Sequence, residues 1–281
     1  MLRCLDKKQK KKFINEINKN HKYGRDVVDE YLSKDIHICD EKSRDSLITF
    51  TSKNTRDAIL VVLKNTRNFL DHHKVEYWLD GGTLLGAIKY GKIIPWDDDA
   101  DLSVPGDSFL KLISLIKSLP TVKVGNLVLY YSEEFHVFFH LISIVSPYDN
   151  ALDSYKYRRI KIYDSRFEVN FSAIFIDILV YVYFDGFYAS IYNPHDIERG
   201  WVYRIEDVYP LRKVKFSGAY YNIVKNPYRY LNSGYPFWQY LIVSSKNHLR
   251  KSDVFADKNM YFIEDAYIEL FDEIKDKKTS K

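Results

Sequence analysis

The sequence predicts an α+β fold, with a β-sheet and helices in the main domain and a helical extension at each end. Apolar residues have helical spacing in two early segments, and three later segments are rich in β-branched and aromatic residues. Glycine or proline separates several of these segments. With 281 residues, of which 46% are hydrophobic, the chain can bury a sizeable core.

We expect residues 1–50 to form a basic helical extension, residues 51–240 the main domain and residues 241–281 a polar helical tail. Residues 1–24 alone have a formal charge of +6, so the +4 of the whole chain leaves −2 for the rest. A solvated basic arm is the simplest interpretation, and contact with an acidic membrane surface or another polyanion is the alternative. No nucleic-acid partner is expected for the core.

Composition also predicts the compartment. The 2 cysteines are too few for a disulfide framework, which favours a reducing environment. The sequence has no apolar segment of the length of a signal peptide core or a membrane-spanning helix. We therefore expect a cytoplasmic protein.

The first elements of the main domain follow from apolar spacing. Ile59, Val62, Leu63 and Leu70 recur at helical intervals within residues 55–74. A short strand at 76–80 is then ended by a double glycine, and residues 83–91 have the pattern of a short helix. The order helix, strand, glycine turn, helix is therefore predicted.

Strands dominate the next part of the chain. An acidic turn and strand stop at Pro105-Gly106, and an amphipathic helix is predicted over residues 108–119. Residues 121–131, 136–145 and 171–184 are β-rich. Because the last of these is almost continuously apolar, we expect it to be the central strand of the sheet.

The run "DDDADLSV" at 97–104 contains the strongest chemical signal. If the strand alternates throughout, Asp97, Asp99 and Asp101 share one face while Leu102 and Val104 face the core. Asp99 and Asp101 would then lie about 7 Å apart along the strand. Their mutual repulsion predicts a divalent cation, Mg²⁺ or Mn²⁺, coordinated by carboxylate oxygens. The alternation places Asp98 on the opposite face and leaves Asp97 undecided, and a plain solvated acidic turn is the alternative.

The double glycine before this run predicts the complementary half of a phosphoryl-transfer site. Gly81 and Gly82 permit close approach of a ligand to the backbone, and the helix that Thr83 opens has free amide groups that favour a phosphate. Lys89 or Lys92 would add a cation, although lysines on short helices are usually only solvated.

A third carboxylate is expected because metal sites of this type need a further ligand or a base. Asp177 is the best candidate, since it lies inside the apolar strand segment 171–184, where an unpaired charge is costly. The alternative is a buried aspartate that is bonded to backbone groups or to an arginine.

These motifs resemble those of a known family. "GGTLLGAIKYGKIIPWDDDADL" (81–102) is similar to the signature of the LicD family, which includes bacterial phosphocholine transferases and, more distantly, fukutin and fukutin-related protein. "FIDILVY" (175–181) resembles a later aspartate-bearing strand of the family, and residues 209–238 resemble its C-terminal element. The similarity extends over residues 57–240.

The resemblance implies a nucleotidyltransferase-like fold, in which a small mixed β-sheet is flanked by helices. It also implies that Asp99, Asp101 and Asp177 hold a divalent metal and that Asp177 polarises an acceptor hydroxyl. Gly81, Gly82 and Thr83 would contact the donor's phosphates. The implied reaction moves a phospho-alcohol from a CDP-linked donor, such as CDP-choline or CDP-ribitol, to a sugar hydroxyl of a glycan.

Three alternatives to that reaction remain open: another metal-dependent nucleotidyltransferase, a D-x-D glycosyltransferase and a catalytically silent binding module.

Overall fold

A computed structural model describes residues 51–143, 157–166, 174–184, 186–191, 202–235 and 238, and the backbone of residues 36–37 and 260–261. The chain divides into two compact units, one formed by Asn54–Tyr230 and the other by Met1–Lys53 together with Leu231–Lys281. Except for the two short backbone segments, the predicted helical extensions at 1–50 and 241–281 lie outside the described residues.

The described elements, in chain order, are β1 (Ile36–His37), α1 (Lys53–His72), β2 (Trp78–Leu79), α2 (Gly81–Lys89), β3 (Ala100–Pro105), α3 (Gly106–Lys117), β4 (Thr121–Val124), β5 (Leu127–Ser132), β6 (Val137–Ser143), β7 (Tyr157–Asp164), β8 (Ile176–Phe184), β9 (Phe187–Ser190), β10 (Val202–Arg204), α4 (Ile205–Val208), β11 (Arg212–Phe216), β12 (Ala219–Ile223), α5 (Tyr228–Gly234) and β13 (Met260–Tyr261).

A mixed sheet of nine strands organises the described part of the unit Asn54–Tyr230. Strands β10, β9, β8, β7, β6, β5 and β4 follow one another across it, and β3 joins the edge of β8 that β7 and β9 leave open. The β3–β8 pair is parallel, whereas β2 pairs with β3 in the antiparallel sense. Strands β11 and β12 form a separate hairpin. In the other unit, β1 and β13 pair in parallel.

Strand β8 is bonded on both edges, as its apolar sequence predicted. Ile176, Ile178 and Val180 are fully buried, so one face of the strand is entirely apolar. Asp177 lies between two of these residues and therefore points to the opposite face. The strand starts at Ile176, after Ile174 and Phe175, and residues 171–173 of the predicted segment lie outside the described residues.

Helices α1 and α3 cover the sheet with the faces that their spacing predicted. On α1, Ile59, Val62, Leu63 and Leu70 are all fully buried, and burial of each such side chain is worth about 1.5–3 kcal/mol. Helix α3 starts directly after Pro105 and buries three large apolar residues, Phe109, Leu112 and Ile116.

The mixed sheet and its flanking helices confirm the predicted α+β class. Within the described residues, none of the helices combines the length and the apolar character that crossing a membrane requires.

Candidate active site

The pairing of β3 with β8 brings two distant aspartates together. In this parallel pair Asp101 lies directly opposite Asp177, and side chains that face each other across two strands point to the same side of the sheet. Leu102 and Val104 are fully buried in the core on the other side, as predicted. The sheet therefore fixes the Asp101–Asp177 pair, although 75 positions separate these residues in the chain.

The Asp99 carboxylate also lies near the Asp101–Asp177 pair, but Asp99 is in a bend and not in a strand. The prediction that strand alternation starts at Asp97 is wrong, because β3 begins only at Ala100. Before it the chain turns, and the Asp97 amide donates a hydrogen bond to the Ile94 carbonyl at 3.0 Å. The bend carries the Asp99 carboxylate to within 4.8 Å of ligand oxygens of Asp101 and Asp177.

A second group of carboxylates shares one member with the first. Asp97, Asp98 and Asp99 also have carboxylate oxygens within 4.8 Å of one another. The assignment of Asp98 to the opposite face is therefore wrong, and the strand on which it depended begins only at Ala100. Asp98 is exposed, whereas Asp97 and Asp99 are partly buried.

Burial and mutual repulsion act on these carboxyl groups. Burial, followed by the charge of Asp177, raises the pKa of Asp99 from its ordinary 3.8 to about 6. Burial and the neighbouring Asp99 raise the pKa of Asp101 well above its ordinary value. The charged forms are therefore disfavoured here, and a bound cation would remove that cost.

Arg159 on β7 is a partner of Asp177 that the sequence analysis missed. Its Nε donates to Oδ1 of Asp177 at 2.7 Å, and its Nη2 donates to Oδ2. The alternative prediction for Asp177, a buried aspartate bonded to arginine, is thus observed together with the carboxylate cluster. Because an ionised carboxylate offers about four lone-pair positions, this fork leaves acceptor capacity for a further ligand.

Lys161 is a second basic residue near the cluster, and it also comes from β7. It lies opposite Asp177 in the β7–β8 pair. Burial lowers the pKa of its ammonium group, and the charge of Asp177 opposes that shift. Alternation of Arg159 and Lys161 with Ile160 and Ile162 is a strand signal that could have revealed this segment.

The double glycine has a structural role beside the carboxylates. Gly81 adopts a φ of 54°, which glycine tolerates without strain. A Cβ atom on Gly82 would lie 2.9 Å from Oδ2 of Asp97, so glycine allows this carboxylate to pack against the first turn of α2. Burial, followed by the charges of Asp99 and Asp98, raises the pKa of Asp97 well above its ordinary value. Asp97 lies close to Gly82 in the first turn of α2, and phosphate contact by Gly81 or Gly82 stays a prediction.

Thr83 links α2 to the carboxylate strand. Its side chain is buried, and its Oγ1 accepts a hydrogen bond from the Asp101 amide at 2.9 Å. This contact fixes the backbone that carries Asp101. Contact of Thr83 with donor phosphates remains a prediction.

A buried hydrogen-bond network ties the strand before α2 to β3 and β10. The Asp80 carboxylate accepts hydrogen bonds from the hydroxyl groups of Ser103 and Tyr203, each at 2.5 Å. The Asp80 amide donates to the Asp101 carbonyl at 3.1 Å. Asp80 therefore positions the backbone of the site, and its charge adds to those that raise the pKa of Asp101.

Lys89, the predicted phosphate contact, lies at the far end of α2. The helix starts at Gly81, and eight residues at about 1.5 Å each separate the two positions by about 12 Å. Its ammonium group lies 5.4 Å from the ring centroid of Tyr90. The structure does not bring Lys89 into the carboxylate group, and its predicted role stays untested.

The part of the chain that contains the carboxylate group is similar to known proteins. Over residues 74–226, more than half of the chain, the sequence matches the family model described as "LicD/FKTN/FKRP, nucleotidyltransferase domain". The chain is 24% identical over 189 residues to an uncharacterized protein of Rickettsia prowazekii, a match that covers 67% of this chain and 58% of that protein.

Two further relatives have functional names. Ribitol 5-phosphate transferase FKRP of Homo sapiens is 43% identical over 54 residues, 19% of this chain and 10% of that protein. Lipopolysaccharide cholinephosphotransferase LicD of Haemophilus influenzae is 27% identical over 116 residues, 40% of this chain and 37% of that protein. Among these three relatives, the largest share of a relative's length that is matched is 58%, in the protein of Rickettsia prowazekii. The family match confirms the resemblance seen in the motifs, and the chain belongs to the LicD/FKTN/FKRP nucleotidyltransferase-domain family.

Proposed function

We propose that the protein is a metal-dependent phosphotransferase that moves a phospho-alcohol from a CDP-activated donor to a sugar hydroxyl of a glycan. The observation that carries the proposal is the convergence of Asp99, Asp101 and Asp177 in a chain of this family. The printed names of two relatives, a ribitol 5-phosphate transferase and a cholinephosphotransferase, support the choice of a phospho-alcohol.

The three carboxylates fit a hard divalent cation. Ligand oxygens around Mg²⁺ at about 2.0–2.1 Å are roughly 3 to 4 Å apart, and the candidate oxygens lie within 4.8 Å of one another. The raised pKa values of Asp99 and Asp101 are the cost that such an ion would relieve. Asp99, Asp101 and Asp177 would hold Mg²⁺ or Mn²⁺, and the ion would neutralise negative charge on the donor's phosphates.

The chain's own residues then position and polarise the reactants. Thr83 and the Asp80 network fix the Asp101 backbone, and the Arg159 fork fixes the plane of the Asp177 carboxylate. A lone pair left on Asp177 would accept the proton of the attacking sugar hydroxyl. In-line attack on the phosphorus next to the alcohol would form the new O–P bond, break the bond to the leaving phosphate and release CMP.

The product identifies the reaction. CDP-choline, CDP-ribitol and CDP-glycerol are each incubated with Mg²⁺ and a glycan acceptor, and the released nucleotide is separated by chromatography. The proposal predicts CMP from one of these donors. Release of pyrophosphate from a nucleoside triphosphate would instead indicate a nucleotidyltransferase, and release of a nucleoside diphosphate from a sugar nucleotide would indicate a glycosyltransferase.

Variants test the assigned residues. Asp99→Ala and Asp101→Ala should each lower CMP release to background while the far-ultraviolet spectrum stays that of the wild type. Asp57→Ala, which removes an exposed carboxylate on α1, is the matched control and should keep full activity. Full activity of the Asp101→Ala variant would contradict the assignment, and a wild type that binds donor without turnover would indicate a binding module.

A further inference from the structure

A row of polar side chains crosses four neighbouring strands on the face that carries the carboxylates. His140 on β6 lies opposite Lys161 on β7, Lys161 lies opposite Asp177 on β8, and Asp177 lies opposite Asp101 on β3. Directly opposed residues project to the same side of a sheet. Strand β7 therefore presents Lys161 to the same face as the carboxylate group.

The Lys161 ammonium is held in place by a ring and not by an acid. Its Nζ lies 3.3 Å from the ring centroid of Phe175, which precedes β8. Within the described part of the chain, Lys161 forms no ion pair with a carboxylate. Because a cation–π contact attracts the ammonium group without neutralising it, the full positive charge and the N–H donors remain for an anionic ligand.

The charge of Lys161 also favours an anionic ligand. Three carboxylates, Asp99, Asp101 and Asp177, would be balanced by one divalent cation together with the paired Arg159. Asp98 adds a further carboxylate beside this group, and Lys161 supplies a positive charge next to it. An ammonium group beside a metal site suits an anion that enters with the metal, because phosphate oxygens accept hydrogen bonds from such a donor.

We propose that Lys161 binds a phosphate group of the nucleotide-linked donor, and that Phe175 positions its ammonium group for this contact. The inference rests on the proposed function, and it places the donor's phosphates beside β7. Lys89, at the other end of α2, would then not contact them. Lys161 is a binding residue in this proposal and Phe175 is a positioning residue.

The test is titration calorimetry of the purified full chain with CDP in the presence of Mg²⁺. Lys161→Met should weaken CDP binding roughly tenfold or more, since a charge-assisted hydrogen bond is lost. Lys161→Arg keeps the charge over the ring and should stay within a few-fold of the wild type. Phe175→Leu should weaken binding less than Lys161→Met does. Lys123→Met, on the exposed strand β4 of the same sheet, is the matched control and should bind CDP like the wild type.

Titration with Mg²⁺ alone separates phosphate binding from a purely structural role. Loss of the Lys161 charge should leave Mg²⁺ affinity unchanged or tighter, because a cation beside the carboxylates has been removed. Weaker Mg²⁺ binding by Lys161→Met, in parallel with weaker CDP binding, would overturn the inference in favour of a structural role.

The remaining outcomes distinguish this inference from the proposed function. Equal CDP affinity in the wild type and Lys161→Met would overturn the inference and leave the function standing. If the wild type does not bind CDP, the CDP-donor function fails, and UDP and ADP are titrated instead. A fall in affinity of Lys161→Met for either nucleotide would support the inference, and absence of binding to all three would overturn both.

Discussion

Replacement of Asp99 by Asn should stabilise the metal-free protein. The pKa of Asp99 is raised from 3.8 to about 6. In the unfolded chain the carboxyl ionises near 3.8, whereas in the native chain it keeps its proton up to about pH 6. The free energy of unfolding therefore falls as the pH rises between these two values. Above pH 6 the full cost of ionising Asp99 in the native state is present. At about 1.4 kcal/mol per pKa unit, that cost is about 3 kcal/mol. The neutral Asn side chain is free of this cost.

Thermal unfolding in EDTA at pH 8 measures the effect. The Asp99→Asn variant should unfold roughly 5 °C or more above the wild type, and the gap should narrow when the pH is lowered to 5. Excess Mg²⁺ should stabilise the wild type more than the variant, because metal binding to the native state adds stability. Asp57→Asn, an exposed matched change, should shift neither curve. An Asp99→Asn variant that is less stable than the wild type at pH 8 in EDTA would show that ionised Asp99 does not destabilise the metal-free protein.

Three further substitutions have defined expectations. Arg159→Met leaves the buried Asp177 carboxylate without its partner and should lower the free energy of unfolding by about 3 kcal/mol in EDTA. Scanning calorimetry should show that Mg²⁺ restores part of this loss. Gly86→Ala should lower the melting temperature, because the added Cβ would lie 2.7 Å from the Lys92 carbonyl oxygen and outweigh a helix-propensity gain of about 1 kcal/mol. Tyr203→Phe removes a buried hydrogen bond to the carboxylate that precedes α2 and should cost about 1–3 kcal/mol in denaturant titration.

Each of these expectations can fail on its own. An Arg159→Met protein with wild-type stability in EDTA would mean that the ion pair does not offset the buried charge. A higher melting temperature for Gly86→Ala would show that the loop after α2 can move away at little cost. An unchanged denaturation midpoint for Tyr203→Phe would show that the network is not needed to hold β10 against β3.

Local patterns predicted the parts of the fold that depend on local physics. The apolar spacing of α1 and α3 follows from one buried helix face, and the buried character of β8 follows from its continuous apolar sequence. The neighbour of β8 could not be deduced in the same way. Which strand lies beside it, and in which register, is decided by long-range packing, so the opposition of Asp101 and Asp177 appears only in the structure.

The sequence prediction of the candidate site failed where turns and distant strands contribute. Strand alternation was applied to Asp97, Asp98 and Asp99, but these residues lie between a turn and the start of β3, where the period of two of a paired strand does not apply. Arg159 and Lys161 were missed because their strand was not recognised, although its alternation of basic residues with isoleucine carried the signal. The role of Gly82 beneath the Asp97 carboxylate depends on a contact between a helix and a loop that no local pattern specifies.

CDP binding with and without metal tests whether the carboxylate group holds a divalent ion for a phosphate-bearing donor. Calorimetric titration of CDP into the wild type should give measurable affinity in Mg²⁺ and at least roughly tenfold weaker binding in EDTA. The Asp101→Asn variant, which lacks one of the three carboxylates, should bind CDP weakly in both buffers. Equal CDP affinity of the wild type in Mg²⁺ and in EDTA would contradict the account.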